Sequence, residues 1–110
     1  MVEDDFLIRM MLAEMLTDAG YDVVEAGSGD EALPLLGDGF ALLLTDLQLP
    51  GSLDGRSLVA RARAAGHDLP VIYASGRLDG AALDARREMA IAKPYHNAEI
   101  RGAIRKLLAA

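Results

Sequence analysis

The sequence predicts an α/β fold, a five-stranded parallel sheet covered by helices on both faces. Three observations carry this. Short apolar runs alternate with helical patterns five times along 110 residues. One run, Ala41-Leu42-Leu43-Leu44, has no polar face and ends at Thr45-Asp46, as a strand buried on both sides does. The chain is 52% hydrophobic with only two Phe, three Tyr and no Trp, an aliphatic core suited to a sheet between helices. Alternating β and α units imply a parallel sheet. Right-handed crossovers leave few strand orders, and 2-1-3-4-5 is the common small one. The whole chain, 1–110, reads as one domain.

The elements follow in order. Met1-Val2-Glu3 ends a short first strand. Ile8, Leu12, Met15, Leu16 and Ala19 then recur at helical spacing on one face, and Gly20 stops that helix. Asp22 to Ala26 is a second strand. Ser28, with Glu31 three residues on, forms a capping box for a second helix, which Pro34 should kink or shorten. The third strand ends at Asp46. Pro50-Gly51-Ser52 leads to a helix from Gly55 to about Ala65, closed by Gly66. Val71 to Ala74 is the fourth strand, ended by Ser75-Gly76. Leu78 to Glu88 is a weakly patterned fourth helix interrupted by Gly80. Met89 to Ala92 is a short fifth strand ending at Lys93-Pro94. Ala98 to Leu108 is the last helix, with Ile100, Ile104, Leu107 and Leu108 facing the core.

Charge and composition narrow the function. Seventeen acidic against eleven basic residues give a net charge of −6, which disfavours direct binding to nucleic acid phosphates. The absence of cysteine excludes disulfides, thiolate metal sites and thiol redox chemistry and fits a cytoplasmic protein. No apolar run approaches the ~18 residues of a membrane span, and Asp4-Asp5 interrupts any N-terminal signal pattern.

Chemistry concentrates at the C-terminal strand ends, where open α/β sheets bind ligands. The first strand ends in Glu3-Asp4-Asp5, the third at Asp46, the fourth at Ser75 and the fifth at Lys93. Strands one and three are neighbours in the predicted order, so several carboxylates converge. Crowded carboxylates repel unless a hard cation sits among them, and Mg²⁺ takes one or two carboxylates with water and phosphate oxygens. A hydroxyl and an ammonium beside them suit a phosphoryl group. Together these parts describe a site that forms an aspartyl phosphate.

Asp4-Asp5, Thr45-Asp46 with Leu49-Pro50-Gly51, Asp54-Gly55, Ser75-Gly76 and Lys93-Pro94 resemble the signature of response-regulator receiver domains, in order and over essentially the whole chain. The resemblance implies a flavodoxin-like doubly wound sheet. It implies Asp46 as the acceptor of a phosphoryl group from a phosphohistidine on a histidine kinase or histidine phosphotransfer protein. It makes Asp5 the main acidic Mg²⁺ ligand, Asp4 its neighbour and the backbone carbonyl of Gln48 a third ligand. Ser75 and Lys93 would contact the phosphate, and Lys93-Pro94 would be cis. The side chains of Gln48 and Arg77 would tune the lifetime of the phosphoryl group. Leu7, Met10 and Met11 would offer a docking patch for the phosphodonor protein, and a homodimer is compatible with the family. Such a domain switches conformation and is not a turnover enzyme beyond its own phosphorylation and dephosphorylation.

Two features depart from the family pattern. Ala90 stands where an aromatic residue often precedes the lysine by three positions; Tyr73 and Tyr95 are the nearby aromatics. The stretch between Ser75 and Lys93 is also short. Rival readings remain. Gly27-Ser28-Gly29-Asp30-Glu31-Ala32 fits a dinucleotide-binding G-x-G-x-x-A. An aspartate-nucleophile phosphatase resembles the region of Asp46 but needs a second acid where Gln48 stands. A pseudo-receiver would bind without being phosphorylated.

Overall fold

The computed structural model describes residues 1–37, 39–76 and 87–109. Its elements are α1 (Phe6–Asp18), α2 (Gly29–Ala32), a 3₁₀ turn (Leu33–Leu35), β1 (Leu43–Asp46), α3 (Gly55–Ala64), β2 (Val71–Ser75), β3 (Glu88–Ala92) and α4 (Asn97–Ala109). The three strands form a parallel sheet in the order β1-β2-β3.

The first two predicted strands are reduced to extended segments that touch the sheet through single bridges. Val2 pairs in parallel with both Ala26 and Thr45. It therefore lies between the second segment and β1, and the spatial order is the predicted 2-1-3-4-5. Val2 donates to the Leu44 carbonyl at 2.8 Å, and Asp46 donates back to the Val2 carbonyl at 3.1 Å. On its other side β1 is laced to β2, with the Leu47 N–H on the Ala74 carbonyl at 2.9 Å. The end of β1 is thus held from both flanks, which fixes the backbone that carries Asp46.

Helices cover both faces. Leu43, Val71 and Tyr73 point to one side and pack with Leu58 and Val59 of α3 and Ala32 of α2. Leu44, Ile72 and Ile91 point to the other and pack with Leu12 and Leu16 of α1 and Ile100, Ile104 and Leu107 of α4. The alternation along each strand is the period-two geometry of a sheet buried on both sides.

Local chemistry explains most boundaries. Ser28 caps α2 by accepting the Glu31 N–H at 3.1 Å. That helix lasts four residues, and the chain continues as a 3₁₀ turn containing Pro34, as a proline inside a helical pattern dictates. Gly20 and Gly66 follow α1 and α3 with φ of 97° and 92°, the left-handed conformation glycine adopts cheaply. Several expectations shift. Arg87 lies in a turn and Glu88 opens β3 rather than closing a helix, and residues 78–86 of the expected fourth helix lie outside the described residues. The face of α1 is rotated from the predicted stripe. Leu12, Ala13 and Leu16 are buried, whereas Ile8 and Ala19 are exposed. Phe6, Leu7, Met10 and Met11 are apolar yet exposed, so apolar residues surround this helix and periodicity cannot choose its inner face. On α4, Ala103 takes the inner position expected for Leu108, which is exposed.

One close approach seats α3 against the site. Gly55 donates to the Leu47 carbonyl at 2.8 Å, and a Cβ at Gly55 would lie 2.1 Å from the Asp46 carbonyl oxygen. Backbone cannot yield as a flexible side chain does. Gly55→Ala is expected to cost about 1–3 kcal/mol or more through overpacking, measured by urea unfolding, and to displace the strand end bearing Asp46. An unchanged midpoint would contradict this packing.

Candidate functional site

Asp46 ends β1 at the C-terminal edge of the sheet and is only 5% exposed. Beside it, on the first extended segment, Glu3 is 2% exposed. Lys93 follows β3 and bridges the two. Its Nζ lies 2.8 Å from Asp46 Oδ1 and 2.9 Å from Glu3 Oε2. The Lys93–Pro94 bond is cis, as the sequence resemblance implies. The Lys93 N–H donates to the Ser75 carbonyl at 2.7 Å, so the ends of β2 and β3 are tied at the same level.

The electrostatics follow from burial. Withdrawal from water, then the Glu3 carboxylate at hydrogen-bond distance, push the Asp46 carboxyl up to about 8, although the Lys93 ammonium pulls the other way. Burial also works against ionisation of Glu3, but hydrogen bonds from Asp46 and Lys93 outweigh it and hold Glu3 below its ordinary range. Burial disfavours the Lys93 charge too, yet its two carboxylate neighbours hold it above its ordinary value. The arrangement is one in which Asp46 keeps a proton that it shares with Glu3 while Lys93 neutralises the pair.

Three carboxylates converge here. Ligand oxygens of Glu3, Asp4 and Asp46 lie within 4.8 Å of one another, Glu3 and Asp46 buried and Asp4 exposed. This all-oxygen set suits a hard divalent cation such as Mg²⁺. The expected acidic pair Asp4–Asp5 is displaced by one residue. Asp5 caps α1, its Oδ1 accepting the Ile8 N–H at 3.1 Å, and it lies outside the cluster. Glu3, read from sequence only as a strand end, takes the inner place. Arg9 supports it, donating to the Glu3 carbonyl at 2.8 Å, and the Asp5 N–H donates to Glu3 Oε1 at 3.1 Å.

Ser75, 1% exposed, donates its hydroxyl to the Gln48 side-chain oxygen at 2.6 Å. Asp46, Ser75 and Lys93 therefore sit on adjacent strand ends as the sequence predicts, with Gln48 leaning across from the loop after β1. Arg77 lies outside the described residues. Ala90 pairs in register with Tyr73. Tyr73 is a core residue whose ring lies 5.2 Å beneath the Arg56 guanidinium. Tyr95 is half-buried just beyond Lys93; its phenol is raised mainly by burial.

The family model of the response regulator receiver domain matches residues 1–105. The chain belongs to the response regulator receiver domain family. This receiver domain is 35% identical over 101 residues to the response regulator protein FleR of Pseudomonas aeruginosa, covering 86% of this chain and 21% of FleR. It is 32% identical over 112 residues to the transcriptional regulatory protein CpxR of Escherichia coli, covering 98% of this chain and 47% of CpxR. The chain thus spans less than half the length of these curated relatives. Among solved structures it resembles a receiver protein from Sinorhizobium medicae (TM-score 0.86, 26% identity, 99% of this chain and 91% of that one). It also resembles the receiver domain of the hybrid histidine kinase CckA (TM-score 0.83, 30% identity, 97% and 94%). A third match is TrrA of Thermotoga maritima, solved in complex with Mg²⁺ and BeF (TM-score 0.81, 25% identity, 96% and 94%). The dinucleotide reading finds no support. A Cβ on Gly29 would lie 2.7 Å from Leu53, so this glycine admits Leu53 instead of cradling a phosphate.

Lys93 is the charge that makes the receiver's carboxylate pair tolerable. Lys93→Met in chelator is expected to cost about 2–3 kcal/mol, since removing one partner strands buried charge and partial exposure softens the loss. Adding Asp46→Asn should recover part of that cost in urea unfolding. Strictly additive losses would contradict the coupling.

Proposed function

We propose that this receiver domain accepts a phosphoryl group on Asp46 from a phosphohistidine of a histidine kinase or histidine phosphotransfer protein. The observation that carries the reading is a buried aspartate at a sheet edge, in contact with a lysine and flanked by two further carboxylates. Mg²⁺ is the implied cofactor. Glu3, Asp4 and Asp46 are the side chains that would hold it, with the Gln48 backbone carbonyl expected beside them. When bound, it screens the carboxylates and the incoming phosphoryl oxygens from one another.

The chain's own groups define the rest. One Asp46 oxygen forms the new P–O bond while the P–N bond of the phosphohistidine breaks, its electron pair returning to the imidazole nitrogen. Asp46 must be ionised to attack, so a carboxyl pushed up to about 8 has to give up its proton first. Lys93 keeps its charge and pairs with a phosphoryl oxygen. Ser75 turns its hydroxyl to another and thereby reports the modification to the end of β2. Gln48 cannot serve as general acid, which fits a lasting phosphoaspartate and a switch in place of steady turnover. The exposed Leu7, Met10 and Met11 lie on α1, which starts directly after the acidic cluster. They are the surface we assign to the phosphodonor protein, since flexible methionines suit adaptable docking. We read the domain as cytoplasmic, self-association as compatible with it, and direct nucleic acid binding as disfavoured by the net charge of −6.

Incubation with Mg²⁺ and acetyl phosphate, followed by intact mass spectrometry, should add one phosphoryl group to the wild type and none to Asp46→Asn. Glu3→Gln and Asp4→Asn should each weaken Mg²⁺ affinity roughly tenfold or more. Asp5→Ala should leave that affinity intact while costing about 1 kcal/mol of stability as a lost helix cap. No adduct on the wild type would overturn the function. A loss of Mg²⁺ affinity in Asp5→Ala as large as in Asp4→Asn would overturn the ligand assignment.

A further inference from the structure

The contact between Ser75 and Gln48 has a consequence of its own, which rests on the phosphoacceptor reading of Asp46. Ser75 is nearly inaccessible and its backbone is pinned, its carbonyl accepting the Lys93 N–H at 2.7 Å. Gln48 is placed across from it because the Leu47 N–H is fastened to the Ala74 carbonyl at 2.9 Å. The Ser75 backbone and that of Leu47 beside Gln48 are held, so rotation of the Ser75 hydroxyl and of the Gln48 side chain is the movement that would part them. A hydroxyl carries one proton and donates once. Ser75 spends that donation on Gln48 Oε1 at 2.6 Å. It cannot do so and also donate to a phosphoryl oxygen on Asp46.

We propose that the Gln48 side chain is a latch. By engaging the Ser75 hydroxyl it stabilises the unphosphorylated arrangement, and phosphorylation must compete the hydroxyl away. Gln48 is thus a positioning residue that sets the switching equilibrium through Ser75, and it need not touch the phosphoryl group. Its exposed side chain is free to swing into solvent once released, where water replaces the lost partner. A ligand shifts such an equilibrium only by its differential affinity for the two states, so removing the latch should appear as tighter binding of a phosphoryl mimic. A neutral hydrogen bond of ordinary net strength corresponds to roughly a two- to tenfold change.

The test is a double-mutant cycle read by the affinity for beryllofluoride at saturating Mg²⁺. Gln48→Met keeps the length and removes the acceptor, so in the Ser75 background it should tighten beryllofluoride binding roughly two- to tenfold. In the Ser75→Ala background the same substitution should leave affinity unchanged, because no hydroxyl remains to be held. Equal changes in both backgrounds would mean that Gln48 acts on the site by another route, and would overturn the latch. So would unchanged or weaker binding in the single variant. Failure of the wild type itself to bind beryllofluoride with Mg²⁺ would overturn the phosphoacceptor reading and the latch with it. Melting curves of all four proteins confirm folding, and Gln48 lies on the surface, where substitution is tolerated.

Discussion

The structure depends on two buried carboxylates kept within reach of one ammonium. Glu3 and Asp46 come from neighbouring segments of the sheet, and Lys93 reaches both at 2.9 and 2.8 Å. Like charges this close, withdrawn from water, do not both ionise without help. Lys93 supplies part of that help, and burial beside Glu3 pushes the Asp46 carboxyl up to about 8, which favours its protonated form. The fold is arranged to impose this crowding. Hydrogen bonds from Val2 and to Ala74 clamp the end of β1 from both sides, and the glycine at 55 lets α3 press against the Asp46 backbone. The carboxylates cannot drift apart, so the repulsion persists as a standing preference for positive charge.

That preference links the site to its chemistry. In the proposed reaction Glu3, Asp4 and Asp46 would hold a divalent cation that relieves their crowding, favouring the ionised Asp46 able to attack phosphorus. A phosphoryl group on Asp46, as proposed, would place negative charge within reach of Lys93 and the Ser75 hydroxyl. Ser75 and Lys93, the residues proposed to respond, lie at the ends of β2 and β3 beside Asp46. The family's usual aromatic position holds Ala90, and Tyr73 opposite it is locked in the core beneath Arg56. The latch proposed for Gln48 would couple the site to the end of β2 through the Ser75 hydroxyl.

Much of this was legible in the sequence, and the failures have physical reasons. Asp46, Ser75 and Lys93 each end a short apolar strand, a strong and unambiguous placement once the strand order is 2-1-3-4-5. Glu3, Asp4 and Asp5 are three consecutive acids, and spacing alone does not say which pair points inward. The decisive signal was the helix cap. An aspartate directly before Phe6 satisfies the orphan N–H of Ile8, which accounts for Asp5 lying outside the carboxylate cluster of Glu3, Asp4 and Asp46. The inner face of α1 was not legible, because Phe6, Leu7, Ile8, Met10 and Met11 surround the helix with apolar side chains and several remain exposed. The first two strands were located correctly but overextended. Among the described residues of these segments Val2 and Ala26 alone form bridges, and the segment ending at Ala26 carries the polar Asp22 and Glu25 where a buried strand would be apolar.

The central claim, that crowding at Asp46 is what the cation relieves, is tested most directly by counting protons during Mg²⁺ binding at pH 7. Titration calorimetry in buffers of different ionisation enthalpy measures this. With the Asp46 carboxyl pushed up to about 8, saturable binding should expel about one proton per ion, and Asp46→Asn should abolish the release. Saturable binding with no proton released, or the same release from Asp46→Asn, would contradict the account.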